Sequence, residues 1–423
     1  MMTFRERSLR STVLLIVLLA ACGRAPRPGV PPQNLVLVTI EHLRADHCTS
    51  LGYARETTVL LRPDGLRTMG LDQLAETGVL FSQAFSPSAF TRSSLASLFT
   101  SEPPPMSGVL DDEGVLGHEF PVLAEALVAG GFATGAFCLP SKLLSGSGLE
   151  RGFEVFEEGE DQKQVLGAAY AWASAQVEAD QPFFLWVHLG WIAPPLGELP
   201  IDSSPIDDPY VSSDPWDITD RYDSALHATV SYMRAFLEAL GLIDEQFMPS
   251  TLVVLAGLQG IELKERGEFV GTEGSVHEEV LHVPLILCHP PSLTGSRIFD
   301  EQVELADVAP TLLDWFDLDP RTIGSGRTLL PLCDTYVDHP FESRLAFALG
   351  GDHGSVRTPS WRLVVRQRAA PEPGDDERLP DLALYDARAD YGMIVDVAAS
   401  HPDVVEVLRE ALEAWLAAAG AAR

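Results

Sequence analysis

Short apolar runs alternate with helix-length amphipathic segments, and this alternation constrains the fold of the 423-residue chain more than any other feature. The runs are 34–40 (NLVLVTI), 132–139 (FATGAFCL), 182–189 (PFFLWVHL), 250–258 (STLVVLAGL) and 283–288 (VPLILC). Each is too continuously apolar for a strand with one wet face and reads as a strand covered on both faces. Between them, 119–131, 163–179 and 220–241 carry apolar residues near a 3.6-residue period and read as helices. This order predicts an α/β fold: a large, mostly parallel sheet flanked by helices on both faces, with sites where strand C-terminal ends meet the following loops. After about residue 340 the pattern changes. RLAFALGG, WRLVVRQ and DLALYDA are strand candidates without long helices between them, so a smaller C-terminal antiparallel sheet is expected. Residues 369–380 read as a surface loop. The chain closes on an amphipathic helix, 401–420, whose stripe of Val404, Val405, Leu408, Leu412, Trp415 and Leu416 should dock on the rest.

The first residues read as an address. Arg5, Arg7 and Arg10 precede an apolar stretch, 11–21, that is too short to span a bilayer comfortably. It ends in Leu19-Ala20-Ala21-Cys22, which resembles the bacterial lipobox, whose cysteine is acylated and becomes the new N-terminus. An ordinary secretory signal with an incidental cysteine is the weaker reading, because small residues stand directly before Cys22. The expected organisation is a lipoprotein signal over 1–22, a Pro/Gly-rich tether over 23–33, an α/β domain over 34–340 and a C-terminal subdomain over 341–423. The expected place is the bacterial cell envelope, periplasmic or surface-facing, with the lipid bilayer as a partner through acylated Cys22.

Net charge narrows the other partners. Removing 1–21 takes three Arg and one Glu from a chain of net charge −32, leaving −34. Such a field repels nucleic acid and sulfated or phosphorylated polymers, so no nucleic-acid role is expected. An envelope protein or a glycan remains as a ligand class. Cys48, Cys138, Cys288 and Cys333 form no CxxC pair, which excludes zinc-ribbon and thioredoxin readings. Disulfides and buried free thiols both remain open for them.

At the end of the first run, Ile40 gives way to Glu41, His42, Asp46 and His47, four potential metal ligands leaving a buried strand. From here the chain resembles the sulfatases of the alkaline phosphatase superfamily, over about 33–420. NLVLVTIEHLRADH is similar to that family's opening strand and metal-binding turn. LDQLAETGVLFSQAFSPSAFTRSSLASLFT (71–100) is similar to the segment that reaches the nucleophile. VHLGWIAPP, HEEVLHVPLIL with LADVAPTLLDWFDLD, and LALYDARADYGMIVDVAASHPDVVEVLREAL follow in the family's order. The resemblance implies a divalent cation, usually Ca²⁺, held by several carboxylates, and a nucleophile that is a formylglycine made from Cys or Ser, or a Thr in phosphotransferase relatives.

Residue by residue, that implied site is eroded. The first two ligand positions hold Glu41 and His42. Glu is a hard ligand one methylene too long, by about 1.5 Å, and His42 suits zinc better than Ca²⁺. Asp46 and His47 are read as turn-forming and structural. The nucleophile position holds Thr91, with Ser93 and Leu95 where Pro and Arg are usual, so no formylglycine is expected. Thr91 is either a direct nucleophile or, the reading adopted, the N-cap of the helix SSLASLFT. The second ligand pair, read as Asp-His in the family, falls on Leu258 and Gln259, before a retained Gly260. Asp352-His353-Gly354 repeats the lost motif in the wrong place and is read as a surface turn. The loop His falls on Ala193, His188 is read as a satisfied structural histidine, and Lys142 lies near the family's cationic region. Glu273, His277, Glu278 and Glu279 are read as a solvated helix start, while Cys288 and His289 are placed at a strand end that could approach the cleft. The expectation is a sulfatase-like envelope lipoprotein without catalysis and without a cofactor. The alternative is an active sulfuric-ester hydrolase or phosphotransferase with a site rewired around Thr91 and one Ca²⁺ or Zn²⁺.

Overall fold

The computed structural model describes residues 32–61, 67–68, 70–139, 144–190, 217–241, 250–272, 274–293, 296–333, 341, 343–367 and 380–421. Cys22, Lys142, Ala193, Glu273 and almost all of the 369–380 loop lie outside the described residues.

A nine-stranded sheet is built from β1 (Asn34–Ile40), β2 (Val79–Phe85), β3 (Ala133–Cys138), β4 (Val155–Glu158), β5 (Phe183–Leu189), β6 (Thr251–Gly257), β7 (His282–Cys288), β8 (Arg297–Phe299) and β9 (Val303–Glu304). Their order is β8-β2-β7-β6-β1-β5-β3-β4, with β9 also pairing with β2. β1 lies between β5 and β6 and is parallel to both. All the expected runs are strands. β2 was not among them, because Ser82 and Gln83 interrupt its apolar sequence; Ser82 donates to the Phe299 carbonyl at 3.1 Å in the neighbouring strand. β7 runs antiparallel to β2 and to β6. A parallel return needs a long crossover, usually a helix. Among the described residues from β6 to β7 there are a short hairpin and the one-turn helix Glu278–Leu281, and the chain comes back in the opposite direction.

Alternate residues of the central strands feed two cores. On one face Leu35 and Leu37 of β1 meet Trp186, Leu252 and Val254 beneath α2 (Thr91–Thr100), α3 (Leu123–Ala129) and α6 (Val308–Trp315), numbering only the longer helices and taking α1 as Leu71–Thr77. On the other, Val36, Val38 and Ile40 meet Leu185 and Val187 beneath α1, α4 (Gln162–Glu178) and α5 (Ile218–Ala239). Dry packing on both sides explains why these strands read as unbroken apolar runs. Cys48, Cys138, Cys288 and Cys333 are buried free thiols.

The C-terminal sheet is a four-stranded antiparallel meander, β10 (Ala346–Gly350), β11 (His353–Arg357), β12 (Trp361–Arg366) and β13 (Leu382–Asp386). The helix α7 (Pro402–Ala421) covers it, burying Leu408 and Leu412 against Val356, Leu363 and Leu384, with Trp415 stacked on Phe347 at 5.0 Å.

The joint between the two sheets corrects one expectation. His277, Glu278 and Glu279 are buried rather than solvated. Glu278 sits between two arginines of the small sheet, 2.9 Å from the Arg357 guanidinium and 2.6 Å from that of Arg362. The pairing holds the Glu278 carboxyl down at about 2 against the upward push of burial. His277 Nδ1 lies 2.9 Å from Glu262.

Candidate functional site

The site grows from the C-terminal ends of β1 and β5, as the topology of an open α/β sheet directs. Thr39 and His188 are paired in register, and Trp186 and Glu41 lie two residues away on the same pleated face. The Trp186 indole N–H donates to Thr39 Oγ1 at 2.9 Å, and Thr39 Oγ1 stands 3.0 Å from His188 Nδ1. Because an ionised carboxylate only accepts, His188 Nε2 carries a proton and donates it to Glu41 Oε1, 3.1 Å away. His188 is thus the satisfied histidine expected, and its second partner is the first ligand position itself. Gly190 closes over this carboxylate: a Cβ there would lie 3.2 Å from Glu41 Oε2.

His42 follows in the left-handed region at φ 57°. That conformation is uncommon for a residue with a Cβ, and Tyr222 holds it from α5. The Tyr222 hydroxyl donates to the His42 carbonyl at 2.8 Å and accepts the Arg44 N–H at 3.0 Å. Burial lowers the His42 imidazole below its usual range. His42 Nδ1 is shielded from solvent and makes no hydrogen bond.

The opposite wall comes from the end of β6. The Leu258 N–H donates to the Ile40 carbonyl at 3.0 Å, and its side chain, fully buried, joins the hydrophobic core. Gln259 turns the other way, donating from Nε2 to Thr91 Oγ1 at 2.8 Å. Gly260 permits this turn, since a Cβ there would strike the Glu279 carbonyl at 1.9 Å.

Thr91 is the first residue of α2, and its cap residue is Phe90, whose side chain makes no capping bond. The expected N-cap role is therefore corrected: the Thr91 hydroxyl accepts the Gln259 amide N–H. Asp112 does the capping, accepting the Arg92 N–H at 2.8 Å, and no local signal in the sequence marks it. Burial would raise the Glu41 carboxyl, but the hydrogen bond and charge of His188, the charge of His42 and the Thr91 hydroxyl outweigh it and hold it below the usual range.

The remaining candidates lie elsewhere. Asp46 is clamped by Arg44 through contacts of 2.9 and 2.7 Å, and His47 Nδ1 is 2.7 Å from the buried Asp223. Both are structural, as expected. Asp352 and His353 belong to the β10–β11 hairpin; the Asp352 backbone carbonyl accepts the Gln367 N–H at 2.7 Å, and His353 begins β11 and is buried rather than part of a surface turn. Cys288 pairs with Val253, four strand residues back from the Gly257 end of β6, so it and His289 sit away from the cleft. The reversed direction of β7 is the reason. Among the described residues, no three His, Cys, Asp or Glu side chains are grouped so as to hold a metal ion.

Members of the family normally use a divalent metal. The residues in the corresponding places do not fit one. Glu41 is the single carboxylate, Leu258 has no lone pair, and Gln259, its amide N–H given to Thr91, offers one neutral oxygen. A hard cation requires six to eight oxygens.

The sequence profile of the Sulfatase family matches residues 33–318. Arylsulfatase K of Danio rerio is 28% identical over 173 residues, 40% of this chain and 32% of the relative. An uncharacterized sulfatase of Schizosaccharomyces pombe is 26% identical over 154 residues, 34% of this chain and 26% of the relative. The matched region thus spans a third or less of these curated relatives. Among solved structures, the phosphonate monoester hydrolase of Agrobacterium radiobacter superposes with a TM-score of 0.68 at 18% identity, covering 92% of this chain and 96% of that one. A 2-O GAG sulfatase superposes with a TM-score of 0.65 at 16% identity, covering 93% of each chain. Both likenesses speak to the fold, an α/β alkaline phosphatase-like sheet. With the family profile covering well over half of its length, this chain belongs to the sulfatase family.

Proposed function

We propose that this sulfatase-family protein is a lipid-anchored envelope protein that binds a ligand without hydrolysing a sulfate ester. One observation carries the reading: at the nucleophile and ligand positions, Gln259 donates to the Thr91 hydroxyl at 2.8 Å and Glu41 is taken by His188 at 3.1 Å. A nucleophile whose hydroxyl already takes an amide N–H, beside a ligand set that does not fit a hard cation, is a poor one. The acidic surface supports the same reading, since an anionic ester would approach against a repulsive field.

The contact between Thr91 and Glu41 at a helix N-terminus favours a second reading, a rewired hydrolase with Thr91 as nucleophile. Against it, Glu41 is held ionised by its partners and is correspondingly a weak base.

Metal analysis of the purified protein, with assays on an aryl sulfate and an aryl phosphate, separates the two. No stoichiometric Ca²⁺ or Zn²⁺ and no turnover above buffer are expected. Turnover that disappears in Thr91→Ala would sink the binding-protein reading.

A further inference from the structure

We propose that the tip of the β10–β11 hairpin is a brace that fixes the Thr91 side of the site against the Gln259 side, so that the small sheet and the cleft move together. Two neighbouring residues of β10 carry it. Leu349 pairs in parallel with Ser88: its N–H donates to the Pro87 carbonyl at 3.0 Å, and its carbonyl accepts the Ala89 N–H at 3.4 Å. Ala89 stands just ahead of Thr91, the first residue of α2. Gly350, next in the strand, packs on the other side. A Cβ there would lie 2.6 Å from the Gly274 carbonyl oxygen and 2.9 Å from that of Ser275, so the backbones touch. The Ser275 hydroxyl donates to Glu262 Oε1 at 2.5 Å, and Glu262 follows closely on Gln259 in the chain. The Gly260 N–H donates to the Val280 carbonyl at 2.7 Å, tying this side to the stretch that Gly350 touches.

The contacts close into a ring. From Leu349 the path runs through Ala89 to Thr91, and from Gly350 through Ser275 and Glu262 to Gln259. The 2.8 Å hydrogen bond from Gln259 Nε2 to Thr91 Oγ1 joins the two ends. A hairpin packed on one side could shift without disturbing that bond. One held on both sides cannot, because hydrogen bonds weaken steeply with small losses of distance and angle. The hairpin is also fixed from below: Glu278 binds Arg357 of β11 and Arg362 of β12. Close-packed contacts of this kind transmit a displacement rather than absorb it. A ligand that parts Thr91 from Gln259 therefore works against the small sheet, and a partner that shifts the small sheet alters the cleft by the same coupling free energy.

A double-mutant cycle read by urea unfolding of the purified protein tests the ring, and it needs no substrate, so its outcome is separate from whether the site turns over an ester. Gly350→Ala should raise the unfolding constant of the parent about threefold or more beyond what it does to Thr91→Val, a variant that has already lost the bond the brace holds. Gly167→Ala, on α4 with open space at its Cβ, should act equally in both backgrounds. Should Gly350→Ala fold poorly, Ser275→Ala cuts the link to Glu262 and must show the same dependence on Thr91. Equal effects of the brace variants in both backgrounds would reduce the hairpin to ordinary packing and overturn the proposal, as would a coupling of the same size at Gly167. Hydrogen exchange in the brace variant should quicken together over 92–95 and 259–263; quickening on one side alone also overturns it.

Discussion

At the scale of single residues, Glu41 and His42 were visible from the sequence as ligand-type side chains at a strand end, and Leu258 and Gln259 as the loss of the other pair. The anchor of Glu41 was not visible. His188 is 147 residues away, and only the parallel register of β1 with β5 brings its ring to the carboxylate. Removing it leaves a buried carboxylate without its 3.1 Å partner. His188→Leu is expected to lower the unfolding free energy by about 3 kcal/mol, as breaking a buried pair does. His188→Gln, which keeps an N–H donor, should recover part of that. Urea unfolding of the three proteins checks both, and equal stability of His188→Leu and the parent would show that Glu41 does not depend on this histidine.

At the scale of elements, apolar runs and helical periods identify strands and helices because burial on both faces is written into side-chain type. They do not identify direction. β7 was legible as a strand, and its reversal was not, since nothing in VPLILC distinguishes the two senses of pairing. The polar stretch before it misled for a related reason: charged residues usually mean solvent, and here Arg357 and Arg362 come from a different sheet to meet Glu278. Its neighbour Glu279 is less well served. Burial pushes its carboxyl up to about 7, with Arg266 at 3.3 Å and Arg44 pulling it down and Glu265 pushing it up. A raised folded-state pKa means that the folded protein holds the proton more tightly than the unfolded chain, whose carboxyl lies near 4.5. Its stabilising contribution is therefore complete below about pH 4.5 and is lost as pH rises through about 7. Glu304, also pushed up to about 7 by burial, acts in the same direction. Between pH 5 and pH 8 the contribution of these two groups to stability should fall, and Glu279→Gln should make the decline shallower without abolishing it. Chemical unfolding at four pH values across that window measures the slope, and an unchanged slope in the variant would reject the assignment.

At the scale of the whole molecule, charge and address outweigh any one contact. The sign and size of the net charge predict weak binding to anionic polymers at any moderate salt. If Cys22 is acylated, as proposed, a Cys22→Ser variant should move from the membrane fraction to the soluble fraction while keeping the same unfolding midpoint, because the anchor precedes the folded sheet. Fractionation of cells expressing each form, with mass analysis of the N-terminal peptide, gives the answer; a variant that stays in the membrane would remove the anchor from the proposal. Among the described residues no helix is long and apolar enough to cross a membrane.

The sequence by itself determined the class of fold, the two cores and the absence of carboxylates opposite Glu41, because each follows from side-chain chemistry and its spacing along the chain. Tertiary structure alone decided that Gln259 and Thr91, 168 residues apart, would bond each other and leave Glu41 to a histidine. Hydrogen bonds depend on angles and on tenths of an ångström, and those are set by how distant strands register, which no local pattern records.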